Sequence, residues 1–143
     1  MELIYSKLNP GKILHIVHRA NEFNNILKGH RKDIIDVKEF IQVSALKMKK
    51  GQTFKPHQHI WKAGEEKSIA QESWVVIRGS VKCSLYDTDG DLLKEPILNV
   101  GDCSITLAGG HTYSILEDDT LVYEYKTGPY KGPENDKIFI DEN

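Results

Sequence analysis

The stretch Gly51-Gln52-Thr53-Phe54-Lys55-Pro56-His57-Gln58-His59, answered by Glu72-Ser73-Trp74-Val75-Val76-Ile77-Arg78-Gly79, decides how this chain is read. In an extended segment residues two apart point to the same side, so His57 and His59 present two imidazoles to one point in space. A pair of imidazoles seldom holds a metal ion unaided. Glu72 opens an apolar run, and His111, behind Gly109-Gly110, lies near the start of another, so three strands can converge on one centre. Three imidazoles and one carboxylate suit a divalent transition metal: iron, manganese, nickel, zinc or copper.

Short apolar or alternating runs recur outward from this stretch, at residues 13–18, 40–48, 53–60, 73–78, 81–86, 103–107, 113–116 and 120–126. Their spacing predicts an all-β sandwich or barrel. Arg78-Gly79-Ser80 and Asp87-Thr88-Asp89-Gly90-Asp91 are the turn signals, with glycine supplying positive φ. The second of these superficially resembles a calcium loop, but its glycine is out of place and Leu98 stands where a bidentate glutamate belongs, so it reads as a turn. One short helix is expected, capped by Asn21, with Phe23, Ile26 and Leu27 on one face and its end near Gly29. The apolar tail Ile138-Phe139-Ile140 is suited to dock on the body or on a second subunit.

Strand parity places Trp74 and Val76 on the side of Glu72, with Ser73, Val75 and Ile77 on the other, and puts Tyr113 and Ile115 on the side of His111. An aromatic pocket of Trp74, Tyr113 and Tyr123 is therefore expected around the centre, the ordinary alternative being that these rings only fill a small barrel. Glu65 and Glu66 compete with Glu72 for a metal, and Glu72 is preferred because a strand holds a carboxylate more rigidly than a loop. His15, His18 and His30 fit no spacing with the others and read as surface or packing residues. Glu72, Tyr113 and Lys62 are the candidate catalytic side chains. The connection 60–71 leaves the strand of two ligands and returns at the third, so it is expected to border the site, with Trp61, Lys62 and Lys67 able to close over a ligand.

With 143 residues, 39% hydrophobic residues and a formal net charge of -2, the chain has the makings of one globular domain and no basic excess that would favour nucleic acid. Cys83 and Cys103 stand far from any C-x-x-C spacing and are expected to be reduced, buried thiols. No segment approaches the roughly 20 apolar residues of a membrane span, and Met1 to Lys7 lacks the features of a leader, so a cytoplasmic protein without membrane contact is expected.

Residue by residue, the opening stretch resembles the cupin superfamily, whose first motif reads G-x5-H-x-H-x3–4-E-x6-G. Gly51, His57, His59, Glu72 and Gly79 stand at its positions, with twelve residues between His59 and Glu72. Gly101 to His111 is similar to the second motif, G-x5-P-x-G-x2-H-x3-N, with Leu107 in place of proline, one residue fewer before the histidine and no asparagine. The resemblance implies a cupin-type double-stranded β-helix, or jelly-roll barrel, at about 40–127. An N-terminal extension with extra strands (about 1–39) and a tail (128–143) complete a single domain. It also implies metal ligation by His57, His59, Glu72 and His111, and a homodimer in which a second subunit covers the extra strands. Gly128-Pro129-Tyr130 and Asp136-Lys137 are similar to small cupin metalloproteins encoded among surface-polysaccharide genes, which implies a sugar or sugar-nucleotide ligand. The expected activity is metal-dependent isomerisation or epimerisation of a small polar substrate, with dioxygenase chemistry as an alternative. A non-catalytic binding or sensing module and a metal-free isomerase using a histidine are the other readings.

Overall fold

The computed structural model describes residues 1–62 and 68–140. Its strands begin with β1 (Glu2–Tyr5), β2 (Ile13–Val17), β3 (His30–Asp33), β4 (Ile41–Met48) and β5 (His57–His59). They continue with β6 (Trp61–Lys62), β7 (Ser68–Ile69), β8 (Glu72–Arg78), β9 (Val81–Tyr86) and β10 (Leu92–Lys94). The last are β11 (Ile97–Leu98), β12 (Cys103–Thr106), β13 (Gly110–Ile115), β14 (Thr120–Thr127) and β15 (Lys137–Phe139). Two antiparallel sheets dominate, one in the order β12-β8-β14-β4-β3 and the other β10-β9-β13-β5-β15 with β11 also on β9. The fold is all-β, as the recurring apolar runs predict.

Parity explains why the sheets face each other. Along β8, Glu72, Trp74 and Val76 are buried while the alternate residues are only partly so. Leu46, Met48, Trp74, Val76 and Val122 of the first sheet meet Val81, Cys83, Tyr113 and Ile115 of the second in one core. The return from β8 to β9 depends on Gly79, with φ +81, where an added Cβ would collide with Thr120.

The outer face of the first sheet is apolar as well, and the N-terminal segment covers it. Phe23, Ile26 and Ile34 pack there on Ala45 and Leu121, with Ile16, Val43, Ile77 and Tyr123 at the margin. The helical segment is a 3-10 helix, Ala20–Asn25, that follows Arg19 without a side-chain cap. Asn21 is therefore inside the element and not its cap, and Leu27 is exposed. Tyr123 is a second correction: it sits on this outer face and bonds His18 Nδ1 through its hydroxyl at 2.8 Å, because its neighbours Val122 and Glu124 take the inward parity of β14. Cys83 is buried, whereas Cys103 is exposed at the edge strand β12. Only His57–His59 of the run 53–60 is a strand, although Thr53 forms an isolated bridge to Ser114. The tail docks on the body as β15, paired with β5. No helix among the described residues is long and apolar enough to cross a membrane.

Candidate metal centre

Three strands deliver the expected donors to one place. β13 pairs with β5 so that His111 stands opposite His57, and Glu72 arrives from the facing sheet. One donor atom from each of His57, His59, Glu72 and His111 lies within 4.8 Å of the other three, and all four side chains are buried. Gly109 and Gly110 permit this approach. Gly109 has φ +80, and a Cβ on Gly110 would strike Ile140 of the tail and come within 3.3 Å of the His57 carbonyl oxygen.

The imidazoles are aimed by their second nitrogens. His57 Nδ1 donates to the Lys55 carbonyl oxygen at 3.0 Å, and His59 Nδ1 faces Asp136, 3.2 Å from its backbone oxygen and 3.0 Å from its Oδ2. Each arrangement leaves Nε2 for the centre, the way such contacts orient metal-binding histidines. His59 Nε2 lies 3.2 Å from Glu72 Oε2, and His111 Nε2 lies 3.3 Å from Glu72 Oε1. Neither nitrogen of the buried His111 ring makes a hydrogen bond among the described residues. Buried nitrogens without a hydrogen bond, beside a carboxylate and two oriented imidazoles, fit a divalent ion held by bonds of about 2.0–2.2 Å.

The electrostatics separate the imidazoles. Burial, with the charge of Lys137 behind it, lowers His57 to about 4, so it is a neutral ring with a lone pair at pH 7. Burial acts in the same direction on His59, but the contacts with Asp136 and Glu72 outweigh it and raise this ring to about 9. Glu72 is deeply buried, yet His111 and His59 hold its carboxyl well below the ordinary range.

A cavity of about 310 Å³ opens onto His57 and Glu72. One wall is aromatic: Trp74 stacks on Tyr113 with centroids 3.9 Å apart and planes 9° from parallel, and Phe54 meets Trp74 edge-on. The Tyr113 hydroxyl bonds Ser104 Oγ at 2.9 Å, and burial, then the Glu72 charge, raises it well above the ordinary phenol range. The other wall is charged. Arg31 bridges Asp33 at 2.8 Å and Glu124 at 2.5 Å, while Lys126 reaches Asp136 Oδ2 at 3.5 Å and lies over the Tyr130 ring at 4.0 Å. Trp74 Nε1 donates to both Glu72 Oε1 and Glu124 Oε2, at 3.1 and 3.2 Å. Burial first, then the charge of Glu72, raises the Glu124 carboxyl.

The sequence-predicted pocket thus receives Glu72, Trp74 and Tyr113 but not Tyr123. Trp61 is exposed on a short pairing of β6 with β7, and the Lys62 side chain, Glu65, Glu66 and Lys67 lie outside the described residues. His15 and His30 are exposed, and His18 packs on the outer face, as expected. The charged wall went unread. Its signal in the sequence is Glu124 and Lys126 at the same parity as Val122 in a strand otherwise built for a core.

The fold that carries these residues recurs in solved structures. KdgF from Halomonas sp. superposes with a TM-score of 0.55 at 20% identity, over 71% of this chain and 80% of that one. The capsular polysaccharide assembling protein CapF of Staphylococcus aureus superposes with a TM-score of 0.59 at 19% identity, over 78% of this chain, which spans only 32% of CapF. A cupin-2 domain containing protein from Shewanella frigidimarina has a TM-score of 0.55 at 12% identity, over 79% of this chain and 95% of that one. The fold is that of the cupins. No family model and no curated protein matches the sequence. A cupin-like fold and the buried cluster of His57, His59, Glu72 and His111 together support a metal site.

Proposed function

We propose that this cupin is a metal-dependent enzyme that acts on a small sugar or sugar derivative by isomerase- or epimerase-type proton transfer. The carrying observation is the continuity of donor cluster and cavity: His57 and Glu72 belong to both. The cavity stands at the lower end of the roughly 300–1,000 Å³ of small-ligand sites, which favours a monosaccharide over a sugar nucleotide. A bound divalent ion, held by His57, His59, Glu72 and His111, would polarise a substrate oxygen as a Lewis acid.

The chain's own groups supply the rest. The stacked Trp74 and Tyr113 offer a flat apolar wall to the C–H face of a ring, and Arg31 and Lys126 offer donors to its oxygens. Glu124, whose carboxyl is raised by burial and by Glu72, is the candidate to take a proton from a carbon beside a carbonyl and return it. Tyr113 stays protonated at neutral pH and serves as a hydrogen-bonding group, not as a base. The fold likeness to CapF, a capsular polysaccharide assembling protein, supports the sugar class.

Metal-loaded protein incubated in D2O with a panel of aldoses and ketoses tests this by NMR. Metal-dependent exchange of a C–H beside the carbonyl is the expected result, with Glu124→Gln slowing it by about 10²–10⁴-fold. Thermal stabilisation by a sugar without exchange would replace the enzyme with a binding module. Exchange that survives chelation would remove the metal from the chemistry.

A further inference from the structure

Lys137 is the one cation lining the cavity that has no carboxylate within ion-pair distance among the described residues. Arg31 has Asp33 and Glu124, and Lys126 has Asp136. The Lys137 ammonium instead donates at 2.9 Å to His57 Nε2, the ring nitrogen left with the lone pair when Nδ1 donates to the Lys55 carbonyl oxygen. Its position comes from the tail: β15 pairs with β5, setting Lys137 opposite His59 and Phe139 opposite His57.

Nε2 is also the atom with which His57 would hold a metal, since Nδ1 is committed to the Lys55 carbonyl oxygen. One lone pair serves an N–H donor or a metal ion, not both, and an ammonium beside a divalent ion is repelled in addition. Metal loading therefore has to break the Lys137–His57 bond. The half-buried side chain then needs another acceptor, and the space it lines is the cavity. A compact ammonium with no carboxylate of its own is matched by a single anionic oxygen group on a ligand.

We propose that Lys137 is a specificity residue for a carboxylate-bearing sugar derivative, and that it takes up this role when a metal claims His57 Nε2. The inference rests on the metal site assigned above and deepens it by naming the charge of the substrate. Until the ion arrives, Lys137 competes with it. Once displaced, Lys137 favours an anionic ligand, so metal and anion promote each other's binding, as linkage requires.

Two titrations test this. In the first, Ni²⁺ affinity is measured by calorimetry for the wild type, Lys137→Met and Lys137→Arg. Lys137→Met is expected to bind Ni²⁺ about tenfold more tightly or better, having lost both competitor and repulsion, whereas Lys137→Arg keeps its charge and stays near wild type. Unchanged or weaker binding by Lys137→Met overturns the proposal. Should that variant not fold, Lys137→Gln takes its place with the same expected direction.

In the second, D-gluconate and neutral D-sorbitol are titrated into Ni²⁺-loaded and metal-free protein. The loaded wild type is expected to prefer gluconate by about tenfold, the preference shrinking to near unity in loaded Lys137→Met and in metal-free wild type. An equal preference with and without Lys137, or with and without Ni²⁺, overturns the proposal. If Ni²⁺ binds normally and Lys137→Met behaves as wild type, this inference alone falls. If the wild type binds no metal, the site assignment falls with it.

Discussion

At one end of the barrel Leu46, Met48, Val76, Val81, Ile115 and Val122 pack hydrocarbon against hydrocarbon; at the other, the same strands carry charge. Inward positions of β8 run Glu72, Trp74, Val76, and those of β13 run His111, Tyr113, Ile115. The registers align the two chemistries, with Glu72 opposite Lys126, Trp74 opposite Glu124 and Val76 opposite Val122. Each fully buried aliphatic side chain contributes about 1.5–3 kcal/mol. Buried charges work the other way, since their desolvation is offset only by close pairing, as in the contacts of Glu124 with Arg31 and of His59 with Asp136. The difference teaches that stability resides at the apolar end and reactivity at the polar end, with Trp74 and Tyr113 as the seam.

The division breaks most visibly at the histidines. His57→Ala or His59→Ala removes half of a pre-aligned pair, and metal affinity is expected to fall by at least about 10²-fold in calorimetric titration, beyond the 10–100-fold typical of an outer-shell loss. Equal metal content in wild type and both variants would erase the polar end as a metal centre. Leu46→Ala is the complementary change. It should cost about 2–5 kcal/mol in urea unfolding while metal stoichiometry stays as in wild type.

A pH series sharpens the same contrast. In the metal-free protein His59 is raised from 6.5 to about 9 despite burial, so its contribution to stability is full below about 6.5 and is lost as pH rises through about 9. A metal must displace that proton, so apparent affinity is expected to rise with pH up to about 9, by at most about tenfold per unit. Affinity flat between pH 6 and 9 would contradict the raised ring. The smallest effect belongs to the outer face. Tyr123→Phe loses the bond to His18 and is expected to cost about 0.5–1.5 kcal/mol with no change in metal binding.

The spacing of His57, His59 and Glu72 and the period-two alternation of β8 were legible because strand parity is local: two residues along a strand share a face whatever surrounds them. The same rule places Trp74 and Tyr113 correctly. It fails for Tyr123, since parity is known only relative to an anchor and β14 offers no histidine or motif residue to anchor it. Glu124 and Lys126 went unread for the same reason, although charge at every second position of a buried strand is a visible sign. The Asn21 cap fails because the segment 20–25 winds as a 3-10 helix pressed onto the outer sheet, where burial of Phe23 and Ile26 overrides capping preference.

By itself, the sequence determined the all-β class, the grouping of His57, His59, Glu72 and His111 and the inward faces of β8 and β13, because these depend on the two-residue repeat and on the chemistry of imidazole and carboxylate. Only the tertiary structure decided that Asp136 aims His59, that Lys137 reaches His57 Nε2 and that Arg31 joins Glu124 along the charged wall of the cavity. Those contacts link residues 77, 80 and 93 positions apart. Pairing at such a separation is set by how sheets register and pack, and no local pattern encodes it.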